Sequence, residues 1–160
     1  VGVNSRLDTL QAAILLSKLE IFEDEIILRG EVAARYAKLL QERGQGRICV
    51  PSVLANHKSV WAQYTIEVND RERIQKALSE KGIPTAVHYP KPLHRQPALL
   101  NLNRGFAISS CPHAERAATR VMSLPMHPYL TETEQIYIVD ALAELLTLQC
   151  NEISEVQMSQ

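Results

Sequence analysis

The stretch VWAQYTIEVNDRERIQKALSEKGIPTAVHY, Val60–Tyr89, decides the fold. It opens by alternating, with Val60, Ala62, Tyr64, Ile66 and Val68 on one side and Trp61, Gln63, Thr65 and Glu67 on the other, the period of a half-buried strand. Asn69 or Asp70 then stands where a helix needs a cap. Ile74, Ala77 and Leu78 share one helical face, and Gly82 follows where a C-terminal glycine ends a helix. Thr85–Tyr89 reads as the next strand, so the stretch runs strand, helix, strand.

Downstream, a loop containing Pro and Asn is expected from Pro90 to Ser110, and Ser110 with Pro112 opens another helix. Met122–Met126 suggests a third strand. Thr131 with Glu134 forms a capping box for an amphipathic helix carrying Ile136, Val139, Leu142, Leu145 and Leu146. Upstream, Ser5 followed by Asp8 resembles a capping box for one long helix, with Leu7, Leu10, Ile14, Ile21, Leu28, Val32, Tyr36 and Leu39 at helical steps. A second stripe, Leu15, Leu19, Phe22 and Ile26, predicts packing on two sides or against another subunit. Gly30 is a place for a bend, and Gly44 and Gly46 mark the end. The predicted fold class is α+β, a long N-terminal helix plus a three-stranded sheet covered by helices. One domain spans residues 1–150, and residues 151–160 are expected to be a polar, disordered tail.

The balance of 17 Lys and Arg against 18 Asp and Glu leaves a net charge of −1, too weak a field to hold a nucleic-acid backbone or an anionic membrane. The longest apolar run, Ala12–Leu16, is far too short to cross a bilayer, and a cytoplasmic setting is the default expectation. Cys49, Cys111 and Cys150 are widely spaced and form no C-x-x-C pair, which points to reduced thiols rather than a disulfide framework or a zinc knuckle. A chain that begins at Val1 and turns helical almost at once is expected to be a piece of a longer protein.

Three segments carry chemistry. Gly2–Leu15 joins a polar loop to a helix N-terminus, where free backbone donors favour an anion; Asn4 and Arg6 suit a phosphate, or Asn4 and Ser5 simply cap the helix. Val87–Pro97, VHYPKPLHRQP, sets His88, Tyr89, Lys91, His94 and Arg95 on a proline-stiffened loop. There the Tyr89 ring suits a base or sugar, and His88, Lys91 or Arg95 a phosphate; the alternative is a surface loop with incidental charges. Ser123–Thr131, SLPMHPYLT, places His127 between prolines, as an acid-base group or a structural residue. A zinc site from His88, His94, Cys111, His113 and His127 matches no familiar ligand spacing, and no metal is expected.

In those three segments the chain resembles the DegT/DnrJ/StrS family of sugar aminotransferases, whose C-terminal region runs G-x-N-x-R-x-D-x-x-Q-A-A, then VHYPxPLHxQP, then LSLPMHPxLT. The resemblance spans Val1 to about Leu148. Around Leu19–Glu25 and Ala62–Val68 the wording is nearest to the branch that aminates UDP-linked 3-oxo-uronic acids for bacterial surface polysaccharide, the lipopolysaccharide O-antigen. The resemblance implies the small C-terminal domain of a fold-type I enzyme dependent on pyridoxal 5'-phosphate. It also implies a homodimer with a shared active site, a UDP-sugar substrate and an amino donor that is commonly glutamate. It assigns Asn4 to the cofactor phosphate of the partner subunit, and Arg6, His88 and Tyr89 to the border of the nucleotide-sugar pocket. Lys18, Lys38, Lys58, Lys76, Lys81 and Lys91 all lack the family's Schiff-base context, so that lysine is expected outside the chain and the chain alone inactive. Two other outcomes remain within the resemblance: a non-catalytic regulatory or interaction domain, and a sugar dehydratase with histidine in place of the lysine.

Overall fold

The computed structural model describes residues 5–44, 46, 48–100 and 110–158, with Leu100 and residues 148–158 described by backbone alone. Three helices and a short sheet make the core. Helix α1 spans Thr9–Leu19, α2 Phe22–Arg43, strand β1 Tyr64–Glu67, α3 Arg71–Glu80, α4 Pro97–Leu100, α5 Pro112–Arg120, β2 Val121–Leu124 and α6 Glu132–Met158. β1 and β2 pair antiparallel, with Tyr64 opposite Leu124 and Ile66 opposite Met122. These apolar residues meet Val32, Tyr36 and Leu40 of α2, Ile74 and Leu78 of α3, and Ile138, Val139, Leu142 and Leu146 of α6 in one cluster. Burying each such side chain contributes roughly 1.5–3 kcal/mol.

Inside this apolar contact sits a polar link. Gln135 of α6 is fully buried; its Nε2 donates to the Val32 carbonyl of α2 at 2.9 Å. Arg35 Nε donates to Gln135 Oε1 at 2.7 Å, and Arg35 Nη2 donates to the Leu130 carbonyl at 3.1 Å. The Tyr36 hydroxyl donates to the Pro125 carbonyl at 3.0 Å, and burial pushes its pKa well above the usual phenol value. At the ends, Arg43 of α2 pairs with Asp140 of α6.

The start of α6 and the end of α3 both behave as local chemistry dictates. Thr131 and Glu134 close the capping box: the Thr131 N–H donates to Glu134 Oε2 at 2.8 Å and the Glu134 N–H to Thr131 Oγ1 at 3.3 Å. That bonding holds the Glu134 carboxyl below the usual range. At the end of α3, Gly82 takes φ +75°; its N–H reaches the Ser79 carbonyl and the Ile83 N–H the Leu78 carbonyl, both at 2.9 Å. Ile83 and Leu78 are both buried, completing the helix-ending motif with its apolar clasp.

Several sequence expectations are corrected. The single long helix is two, divided at Glu20–Ile21. Glu23, Asp24 and Glu25 are the favourable negative first turn of α2, a start signal that apolar periodicity conceals. Asp8, not Ser5, caps α1, its carboxylate accepting from the Gln11 N–H at 2.8 Å, so Leu7 lies outside the helix. Gly30 sits inside α2 and does not interrupt it. The strand expected from Val60 starts only at Tyr64, because Trp61 takes φ +47° and cannot continue an extended run. Asp70 precedes α3 at φ +49° and makes no side-chain cap; its carboxylate pairs with Arg73 at 3.1 Å.

The described sheet has two strands, not three. Thr85–Tyr89 contributes one bridge, Ala86 to Ser123, closed by bonds of 3.2 and 2.8 Å. Pro84 and Pro90 flank it and have no N–H to extend the ladder. On the far side of β1, Cys49 bridges Glu67 in the same one-residue manner. Residues 151–158, read as part of a polar tail, continue the α6 backbone, since no Gly or Pro interrupts Glu132–Met158.

Two glycines give opposite expected outcomes. Gly82→Ala, at positive φ, lowers stability by about 1 kcal/mol. Gly30→Ala, helical with no atom within 4 Å of the added Cβ, raises it by roughly 0.5–1 kcal/mol. Urea midpoints at constant m check both, and a shared sign would contradict the two backbone assignments.

Candidate functional site

Side-chain alternation in β1 and β2 sends Tyr64, Ile66, Met122 and Leu124 into the core and leaves Thr65 and Ser123 for the opposite face of the sheet. Their hydroxyls bond to each other at 2.9 Å. On this face lies an open cleft of about 260 Å³, lined by Gln63, Thr85, Ala86, His88, Ser123 and Pro125 among others. The bridge between Ala86 and Ser123 fixes where the His88 loop leaves the sheet, and Gln75 Nε2 of α3 steadies it by donating to Thr85 Oγ1 at 3.0 Å.

His88 and Tyr89 stand beyond that bridge, both exposed, Tyr89 by 73%, joined by a cis peptide bond. Their rings meet edge to face, centroids 5.7 Å apart at 75°. An exposed aromatic beside the imidazole that lines this cleft suits a planar or sugar-like ligand with an acidic group. The loop then closes in a single 3-10 turn, Leu93–Arg95. Here the structure adds a protein partner that sequence did not show: His94 and Arg95 both contact Glu115, Arg95 staying half exposed. His94 Nε2 lies 2.8 Å from Glu115 Oε1, and Arg95 donates to the same oxygen from Nη2 at 3.1 Å and Nε at 3.3 Å. Glu115 was invisible as a site residue in sequence; a partner 20 positions away leaves no periodic signal.

Arg6 precedes α1 and is exposed, and it is not among the residues lining the cleft beside His88. Asn4 lies outside the described residues. The capping role considered for Asn4 and Ser5 is filled by Asp8. His127 is exposed, with its carbonyl accepting from the Leu130 N–H at 3.3 Å. Among the described residues no cluster of His, Cys, Asp or Glu is arranged to hold a metal ion, and no helix is long and apolar enough to cross a membrane.

A larger cleft of about 500 Å³ lies between α2 and residues 51–61, lined by Gly30, Ala33, Ala37, His57, Lys58 and Tyr64 among others. Burial raises the Tyr64 phenol to about 12, and its hydroxyl has no hydrogen-bond partner among the described residues. None of the site residues read from sequence lines this cleft.

A profile of the DegT/DnrJ/EryC1/StrS aminotransferase family matches residues 1–143. The chain belongs to that family. It is 54% identical over 141 residues to a UDP-2-acetamido-2-deoxy-3-oxo-D-glucuronate aminotransferase of Pseudomonas aeruginosa, covering 88% of this chain and 37% of that protein. Among solved structures, a DegT DnrJ EryC1 StrS aminotransferase from Brucella abortus superposes with a TM-score of 0.77 at 41% identity, over 91% of this chain and 37% of that one. NtdA from Bacillus subtilis, with bound cofactor PMP, gives 0.68 at 30% identity, over 89% of this chain and 34% of that one. The chain therefore spans a little over a third of the length of the relatives it matches. The α+β class expected from sequence agrees with these neighbours.

Aminotransferases of this family depend on pyridoxal 5'-phosphate. The described residues do not build a holder for it by themselves: all six lysines are exposed, and Lys81 is paired with Glu144 at 2.8 Å. A cofactor lysine needs a desolvated setting that lowers its pKa, and here Glu144 raises that of Lys81 instead. Incubating the chain with pyridoxal phosphate and reducing with borohydride is expected to label several lysines sparsely. Mass-spectrometric mapping of one stoichiometric site would overturn this.

Proposed function

We propose that the full-length protein is a pyridoxal-phosphate-dependent transaminase. It moves the amino group of an amino acid, glutamate by preference, to a UDP-linked 3-keto-uronic acid, releasing 2-oxoglutarate, in lipopolysaccharide O-antigen synthesis in the cytoplasm. The observation that carries this reading is the 54% identity to the Pseudomonas enzyme, joined to the exposed His88–Tyr89 pair, whose His88 lines a cleft on the sheet's outer face. In this proposal residues 1–150 are the small C-terminal domain. Asn4 reaches the cofactor phosphate of the partner subunit, and Arg6, His88 and Tyr89 line the nucleotide-sugar pocket.

A homodimer with shared sites is supported by the surface of α1. That helix buries none of its residues, and Leu10, Ile14, Leu16 and Leu19 are exposed by 79, 59, 67 and 61%. An exposed apolar face of this kind suits a surface that is covered in the assembled protein. Arg6, immediately before α1, would be carried to the pocket by that assembly. The guanidinium fork suits the two-oxygen anions of a diphosphate or uronate, and His88 approaches the same anion with a single donor.

Arg6→Lys in the full-length enzyme keeps the charge and loses the fork, so KM for the nucleotide sugar is expected to rise roughly tenfold or more. The half-reaction with the amino donor stays near normal, and His88→Asn acts in the same direction more mildly. Stopped-flow absorbance of the cofactor, one half-reaction at a time, makes the measurement. Equal slowing of both at saturating substrate would place these residues in the shared chemistry. Asn4→Ala is expected to weaken cofactor retention by about 1.5–3 kcal/mol, more than the roughly 1 kcal/mol of a lost helix cap. A fall in melting temperature with cofactor affinity unchanged would count against it.

A further inference from the structure

We propose that Glu115 is a positioning residue for substrate binding: its carboxylate fixes the far end of the His88–Tyr89 loop to α5, and so sets where that loop meets the nucleotide sugar. The inference rests on the reading that this loop lines the substrate pocket.

The loop is held at two places. Its near end is tied by the paired bonds between Ala86 and Ser123 of β2. At its far end, His94 and Arg95 both converge on Glu115 Oε1. The same oxygen accepts from the Cys111 N–H, just before α5, at 3.4 Å. The carboxylate therefore joins the loop to the first turn of a helix, where a negative charge is favoured.

What matters is where α5 leads. It runs straight into β2, and its C-terminal end is gripped by Arg71, whose Nη1 donates to the carbonyls of Ala118 and Val121. Arg71 stands at the start of α3 and is itself buried. Both ends of the loop are thus referenced to one rigid unit of β2, α5 and α3. Between the two ties stand Pro90 and Pro92, each with φ locked by its ring, which leaves this short stretch fewer ways to absorb a displacement at residues 94–95 before it reaches Tyr89.

The tie differs from an ordinary surface ion pair. Several donors share one oxygen, and although the Arg95 side chain is 51% exposed, those of His94 and Glu115 are 19% and 32%. Bonding from His94 first, with the Cys111 N–H and Arg95 adding and desolvation opposing, holds the Glu115 carboxyl below its ordinary value, so it is ionised at neutral pH. Substrate has no need to touch it.

The test uses the full-length, cofactor-loaded enzyme with uridine diphosphate as the probe. Glu115→Ala is expected to weaken uridine diphosphate binding roughly three- to tenfold, measured by calorimetry, and to raise KM for the nucleotide sugar similarly. The half-reaction with the amino donor should remain within about twofold. Glu115→Gln, which keeps an acceptor oxygen without the charge, should recover part of the loss. His94→Ala with Arg95→Ala should reproduce the effect and add little to Glu115→Ala, as members of one network do; that double variant also carries the test if Glu115→Ala does not fold. Equal slowing of both half-reactions, with a lower melting temperature, would reduce Glu115 to a structural role and overturn the proposal. So would unchanged uridine diphosphate affinity in Glu115→Ala alongside a clear loss in His88→Asn. If neither variant alters that affinity, the reading of the loop itself fails, and this inference with it.

Discussion

The contact on which the rest of the domain depends is the buried amide of Gln135. It joins α6 to a carbonyl of α2 and takes a bond from Arg35, so two helices that apolar packing alone would let slide are held in one register. Apolar contacts are numerous and non-directional; a buried amide is tolerated only where its hydrogen bonds are made, and leaving them unmade costs roughly 1–3 kcal/mol. With that register set, Tyr36 reaches the Pro125 carbonyl just past β2 and stacks at 5.0 Å on Tyr64 of β1. The helix pair thereby positions the two strands, and the strands position the loop.

The candidate site lies on the opposite face from this core. The sheet is so short that its polar face is little more than Thr65 and Ser123, yet it suffices to seat a cleft and launch the His88 loop. The loop is made firm by side chains and prolines, not by a ladder. A third full strand would have tied up the backbone of His88 and Tyr89; a single bridge at Ala86 leaves them outside the sheet and exposed.

Much of this was legible in the sequence because it is local. The Thr131–Glu134 box, the Gly82 helix end and the apolar faces of α2, α3 and α6 each follow from spacings of a few residues. Three ordered motifs carried the family, although Asn4 falls outside the described residues and the roles of Arg6, His88 and Tyr89 are proposals. What escaped reading was set by single backbone conformations or by distant partners. Trp61 at positive φ shortened β1 without any Gly or Pro to announce it. The division between α1 and α2 lay beneath a continuous apolar pattern, and only the acidic run at Glu23–Glu25 marked it. Glu115 meets His94 and Arg95 across a stretch that no local rule spans.

The exposed apolar surface of α1 has a consequence for the life of the chain before assembly. A helix bearing Leu10, Ile14, Leu16 and Leu19 in water is the kind of segment that chaperones and proteases bind. Covering it withdraws that signal, so in the proposed dimer a subunit that fails to find its partner would be marked for removal by the same residues that would have joined it. On the proposed assembly, abundance in the cell becomes a readout of association: substitutions of these α1 residues would lower the amount of protein, even where they leave every proposed site residue in place.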